Sequence, residues 1–341
     1  MKYSKLQHGM SLVEILVSLV ISLFLLAGII QVFIADKASY TFTDSISRMQ
    51  ENGRFALDKM VEEIRLAGFT GCAIFDPLDT SNISNNLNQG HADYDDSIYD
   101  FIGGETIEGT DGNGNDPDSI TIRGASTTQA NIVPPYESDS ADIHITPVNG
   151  LQIGDIVMLS NCRGADIFQI TNMGPDDIQE YDNIVHNTGT GTPGNYNIDN
   201  CPDTGNAHCL SQTYGADSSV FKLQTVTYSI KEGGSGEPAL WRSENGADVE
   251  LIDGIENMQV LYGIDDNGDN YANQYVIASA VTNSLDVVSI RLMLLVRSAS
   301  PNVTESPQVY NFNGVINITA TDNRLRQVFS TSIALRNRAG I

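Results

Sequence analysis

Glu14 is the residue whose place most needs a reason: a carboxylate at the edge of an apolar run, where charge is costly and usually functional. A cut after Gly9 would supply that reason. It would give Met10 a free ammonium four residues before Glu14, one helical turn away, in a turn that also carries the positive end of the helix dipole. The carboxylate would then be compensated by its own N-terminus or by that of a neighbour. Gly9 suits such a cut because a residue without a side chain lets a protease approach the backbone closely.

The remaining candidates are weaker. Four cysteines, Cys72, Cys162, Cys201 and Cys209, all follow the apolar run, on the side that would be exported, and an even number there favours disulfides. No Cys-x-x-Cys spacing occurs, and His208 beside Cys209 is the sole nearby imidazole, which argues against zinc. Three pairings are open; proximity alone favours Cys201 with Cys209, leaving Cys72 for Cys162. Asp265, Asn267 and Asp269 stand at positions one, three and five of a calcium-loop pattern. Asn270 and Val276 then replace the expected glycine and bidentate glutamate, so a full EF-hand is excluded. A hairpin turn on Asn267-Gly268 explains the same residues. Calcium is therefore the one cofactor to test, and otherwise none is expected.

Gly189, Gly191 and Gly194 match a dinucleotide-binding spacing, but no strand precedes them and Pro193 stands where a helix should open. Gly233 to Gly236 reads as a turn. His91, His144, His186 and His208 lie apart, no catalytic set emerges, and an enzyme is not expected. Arg324, Arg326, Arg336 and Arg338 form a basic cluster near the end, read as a solvated strand face with a docking surface as the alternative.

Several elements must position these residues. Residues 15–35 are 21 consecutive uncharged positions, which as a helix span roughly 30 Å, the thickness of a bilayer core. Lys2, Lys5 and His8 precede them without an acid, so the positive-inside rule keeps the N-terminus cytoplasmic and exports everything after residue 35. Beyond the run, Phe42, Ile46, Met49, Gly53, Ala56, Met60, Ile64 and Ala67 follow steps of three and four, one stripe of a helix that Gly68 can stop. From Met10 to Ala67 is 58 residues, about 87 Å if continuous. Gly28 and Gly53 each weaken that helix by roughly 1 kcal/mol relative to alanine.

Alternating patterns predict strands at 119–123, 155–160, 221–230, 258–264 and 287–297, with a C-terminal strand whose inward face is Leu325, Phe329, Ile333 and Leu335. Residues 76–117 and 172–219, rich in Asn, Asp, Gly and Ser, read as long loops. Strands after one long helix make an α+β chain, mostly antiparallel. Its 41% hydrophobic content suffices for a packed core. A net charge of −25, from 43 acidic and 18 basic residues, opposes direct nucleic-acid binding.

Gly9-Met10-Ser11-Leu12-Val13-Glu14 followed by the apolar run resembles the type IV prepilin signal, with Met10 where phenylalanine is commonest. The stretches at 50–58 and 65–72 and the ending at 324–338 are similar to the PilW family of minor pilins. The resemblance implies a type IV pilin fold in four segments: a leader (1–9), a transmembrane helix (10–35), an amphipathic spine (36–71) and a β-rich head (72–341). It implies cleavage between Gly9 and Met10, N-methylation of Met10, and an assembly role for Glu14. Expected partners are a prepilin peptidase, the other minor pilins and the major pilin, a tip adhesin and the inner-membrane assembly platform. The implied function is priming of the filament and residence in its tip complex, with passage from inner membrane to cell surface. Alternatives are a J-type minor pseudopilin of type II secretion, a membrane-tethered periplasmic enzyme, and a calcium-dependent adhesive module.

Overall fold

The computed structural model describes residues 11–69, 82–102, 105–136, 140–176, 181–188, 191–196 and 210–335. It divides into two compact units: Met1–Glu51 with Arg297–Arg326, and Asn52–Val296 with Gln327–Ile341. One helix, Leu12–Ile64, runs 53 residues and contributes to both, about 80 Å of continuous helix. It stops where the glycine signal predicts. Ala67 and Leu66 donate back three residues, tightening the last turn, and Gly68 takes a φ of +70°.

In the first unit the helix surface is exposed throughout residues 11–40. Leu12, Phe24 and Phe33 are 75%, 76% and 67% exposed, an apolar surface that water does not favour. The same unit holds a hairpin, Val309–Phe312 with Val315–Thr319, turned by Asn313 and Gly314 at φ +49° and +74°. Positive φ at both central residues is the demand of a type I′ turn, and Asn-Gly meets it at least cost. Asp322 draws the chain together here. Arg326 lies 2.6 Å from its carboxylate, and the Arg324 guanidinium donates to the Ser298 and Ala299 carbonyls. This corrects the solvated-face reading for two of the arginines: Arg326 is only 5% exposed and holds a loop rather than facing water. Arg336 and Arg338 lie outside the described residues.

Among its described residues the second unit carries three sheets. The largest has eight strands and runs Ile83–Asn85, Gly164–Gln169, Ile156–Asn161, Ser219–Glu232, Pro238–Glu244, Ala247–Asp253; Ser119–Asn131 joins Ser219–Glu232 and bears Ile107–Thr110 on its far side. Within it only Ile83–Asn85 pairs in parallel. A four-stranded sheet orders Gln274–Val276, Ile255–Ile264, Val287–Arg297 and Arg326–Ala334. A third joins Asp142–Ile145, Tyr181–Val185 and Asn172–Asp176. The stretches read as loops are thus corrected: residues 76–117 hold two short strands and a helical turn, and 172–219 hold a β-hairpin. Their polar composition hid strands of three to five residues, too short for a periodic signal.

The long strands agree with the alternation. In Val287–Arg297, Ile290, Leu292, Leu294 and Val296 are fully buried, and Ile333 and Leu335 are buried in the last strand region. Within the second unit the helical stripe packs as predicted, with Ala56, Met60 and Ile64 at 0% exposure. Gly53 sits there for contact: a Cβ at this position would lie 2.6 Å from the Phe329 ring, so its absence admits the aromatic. The helix end rests likewise on Gly124, where a Cβ would come within 3.0 Å of the Leu66 carbonyl.

Candidate functional site: the N-terminal helix and its anchor

The helix begins with a reciprocal capping box. The Ser11 N–H donates to Glu14 Oε2 and the Glu14 N–H donates to Ser11 Oγ, both at 3.2 Å. Two of the backbone donors that open any helix are thereby satisfied. The Ser-x-x-Glu spacing could have revealed this pair in the sequence. It shows that Glu14 has a local task at the helix start besides any it has toward an amine. Gly9 and Met10 lie outside the described residues.

Within the apolar stretch two serine hydroxyls bond back to the helix. Ser18 and Ser22 donate their hydroxyls to the carbonyls of Ile15 and Ser18, at 2.9 and 2.8 Å. With backbone and serine hydroxyls bonded within the helix, Gln31 is the one other polar side chain in residues 15–35, and the rest of the surface is hydrocarbon, which suits a lipid-facing segment. Among the described residues this is the one helix long and apolar enough to cross a membrane, near the N-terminus.

Well beyond that stretch, Glu63 joins the helix to the main sheet. Its side chain is 7% exposed and receives Lys59 at 2.9 Å, Arg242 at 3.1 Å and the Tyr228 hydroxyl at 2.7 Å. Tyr228 and Arg242 face each other across neighbouring strands, so a single carboxylate clamps both. Arg242 continues to Glu244 at 2.6 Å, and Lys222 bridges Glu244 and Asp155 at 3.5 and 3.0 Å. Burial alone would raise the Glu63 pKa; the bonds from Arg242, Lys59 and Tyr228 outweigh it and hold the group below its ordinary range. The i,i+4 spacing of Lys59 and Glu63 could announce one arm of this network, but the link to the sheet joins Glu63 and Arg242, 179 positions apart.

A second buried carboxylate lies in the same unit. Asp166, at 0% exposure, accepts from Asn86 at 3.0 Å, from the Ser211 hydroxyl at 2.7 Å and from Tyr214 at 2.7 Å. Burial raises its pKa against these bonds.

The other predicted sites fare differently. Cys162, between Ile156–Asn161 and Gly164–Gln169, is disulfide-bonded, while Cys72, Cys201 and Cys209 lie outside the described residues. Asp265 accepts backbone N–H groups from Asn267, Gly268, Asp269 and Asn270 at 2.7 to 3.3 Å, and Asn267 Nδ2 donates to Asp269. Those bonds close the turn between Ile255–Ile264 and Gln274–Val276, which pair as the hairpin reading expects. Gly191 and Gly194 belong to a turn gripped by Gln169, whose amide donates to the Thr192 carbonyl and accepts from Gly194, both at 2.8 Å. His144 stacks with Tyr181 and His186 with Phe168. Among the described residues no three His, Cys, Asp or Glu side chains gather as a metal site would require.

Comparison with known families fits this arrangement. Residues 4–30 match the prokaryotic N-terminal methylation motif, and residues 227–337 match type IV pilus-assembly protein W. These two matches support a type IV pilus minor pilin of the PilW family. The second match contains Tyr228, Arg242 and Glu244, the sheet half of the Glu63 clamp; the similar stretches at 50–58 and 65–72 fall outside both. A pilin carrying this motif implies membrane anchoring through the apolar helix and interaction with other pilins and the assembly machinery. Pilin-family domains are structural rather than catalytic. Among solved structures, a type IV-like pilin from Thermus thermophilus is similar at 13% identity over 63% of this chain and 86% of that one, with a TM-score of 0.20. No curated protein matches.

Proposed function

We propose that this chain is a minor pilin that primes filament assembly and resides in the tip complex with other minor pilins and a tip adhesin. The observation that carries this is the methylation-motif match at 4–30 joined, in one chain, to the PilW match at 227–337. The task is assembly and not catalysis. After a peptidase cuts between Gly9 and Met10 and the new amine is methylated, the exposed apolar helix holds the subunit in the inner membrane. It exchanges lipid for neighbouring helices on extraction. The capping box occupies Glu14 Oε2, which leaves Oε1 to receive a neighbour's Met10 amine.

Mass spectrometry of sheared filaments tests this reading. The expected result is a mature N-terminus at Met10 and low stoichiometry beside other minor pilins. Absence from filaments together with a protein-secretion defect on deletion would favour the pseudopilin alternative.

A further inference from the structure

The main sheet presents one face away from Glu63, and a cavity of about 350 Å³ opens there. That volume lies in the range of small-ligand pockets. Its walls carry the hydroxyls of Thr110, Thr121, Thr227, Ser229 and Ser243. The register explains the concentration: alternate residues of adjacent antiparallel strands project to one face, so Ser229 lies beside Trp241 and Thr227 beside both Ser243 and Thr121. Thr121 Oγ1 and Thr227 Oγ1 are 2.8 Å apart. The opposite face of the same strands carries Val226 and Tyr228, which are buried.

The charges in this cavity are matched inside it. Arg123 lies 3.1 Å from Glu108 and gives its other Nη bonds to the carbonyls of Glu105 and Ser97. Lys231 lies 2.7 Å from Asp248. Two cations against two carboxylates leave no net charge to select an ion, and a chain of net charge −25 repels polyanions. What the walls offer is a field of hydroxyls that both donate and accept, the complement of another polyol. Trp241, on the strand face that carries Ser243, adjoins the wall residue Lys231, whose Nζ lies 5.9 Å from its ring centroid. We infer that this cavity binds a neutral mono- or disaccharide. The inference does not rest on the pilus assignment.

Trp241 is the only tryptophan in the chain, so its fluorescence reports on this face alone. The full-length protein in detergent micelles is titrated with diacetylchitobiose, lactose and maltose, and in parallel with glucuronate and inorganic phosphate. The expected result is a saturable emission change with at least one neutral disaccharide, at a dissociation constant on the order of 1 mM, matched by calorimetry. Thr227→Val and Ser229→Ala should weaken it roughly ten-fold while leaving the melting temperature unchanged. Capture of the protein by beads bearing the same sugar through its reducing end would extend the ligand to surface glycans; binding in solution alone would restrict it to free sugar. No response to any neutral sugar at on the order of 50 mM overturns the inference. So does tighter binding of glucuronate or phosphate, or undiminished binding by both variants.

Discussion

Glu14 and Glu63 lie on one helix and teach opposite lessons. Glu14 is exposed and, among the described residues, bonds Ser11 through one of its two carboxylate oxygens. Glu63 is buried and finds Lys59, Arg242 and Tyr228 within the chain. The surroundings differ in the same sense: large apolar side chains around Glu14 are exposed, while Met60 and Ile64 beside Glu63 are at 0% exposure. A carboxylate supplied with its cations by its own fold contributes to stability. One without them, as at Glu14, is what the proposed assembly role would use.

Exchanging the two losses should separate these roles most sharply. Glu14→Ala is expected to abolish piliation while leader cleavage and head melting stay unchanged, read by filament shearing, immunoblot and calorimetry; normal pili would remove the assembly role. Glu63→Ala should cost the head about 3 kcal/mol, because it leaves the buried Tyr228 hydroxyl unpaired and takes one of its two carboxylates from Arg242. A melting temperature equal to wild type would show that the clamp is idle.

The glycines sharpen the contrast at smaller amplitude. Gly53→Ala should destabilise by about 1 kcal/mol, since overpacking against Phe329 exceeds the helix-propensity gain. Gly28→Ala meets nothing within 4 Å and should leave the melt unchanged or slightly raised. Equal effects at both positions would mean that Phe329 yields freely.

The pH dependence has a definite sign. Glu63 is held below its ordinary 4.5, so its stabilising contribution is present above that value and disappears as pH falls through the folded-state pKa. The stability gap between wild type and Glu63→Ala should therefore be constant above about pH 5 and narrow below 4.5. A gap that widened in acid would contradict the assignment. Asp166, raised by burial, works in reverse: its contribution is present below 3.8 and is lost as pH rises through its folded value.

The smallest effect concerns the Asp265 loop. Calcium takes six to eight oxygen ligands, and this turn is already closed by its own hydrogen bonds. Calcium addition is expected to produce no heat and no shift in melting temperature. A shift would revive Asp265, Asn267 and Asp269 as ligands.

Features carried by neighbouring residues could be read from the sequence alone: the uncharged run 15–35, the stripe through Ile64, the stop at Gly68, the alternation of Val287–Arg297, and the Gly9-Met10-Glu14 spacing. Each is a repeat or a short interval, and helix and strand geometry translate such intervals directly into faces. Short strands inside polar segments escaped, since three to five residues hold too few repeats. What tertiary structure decided is partnership across long separations. Glu63 meets Arg242, Gly53 meets Phe329, Asp166 meets Ser211, and Arg324 reaches the Ser298 carbonyl. Gly53 alone in a helix pattern signals only a weak point, and only the packed aromatic turns it into a contact. So too with the carboxylates: Lys59 stands four residues before Glu63 and is a local signal, but the cation that ties Glu63 to the sheet depends on where the fold places Arg242, and no local interval encodes that.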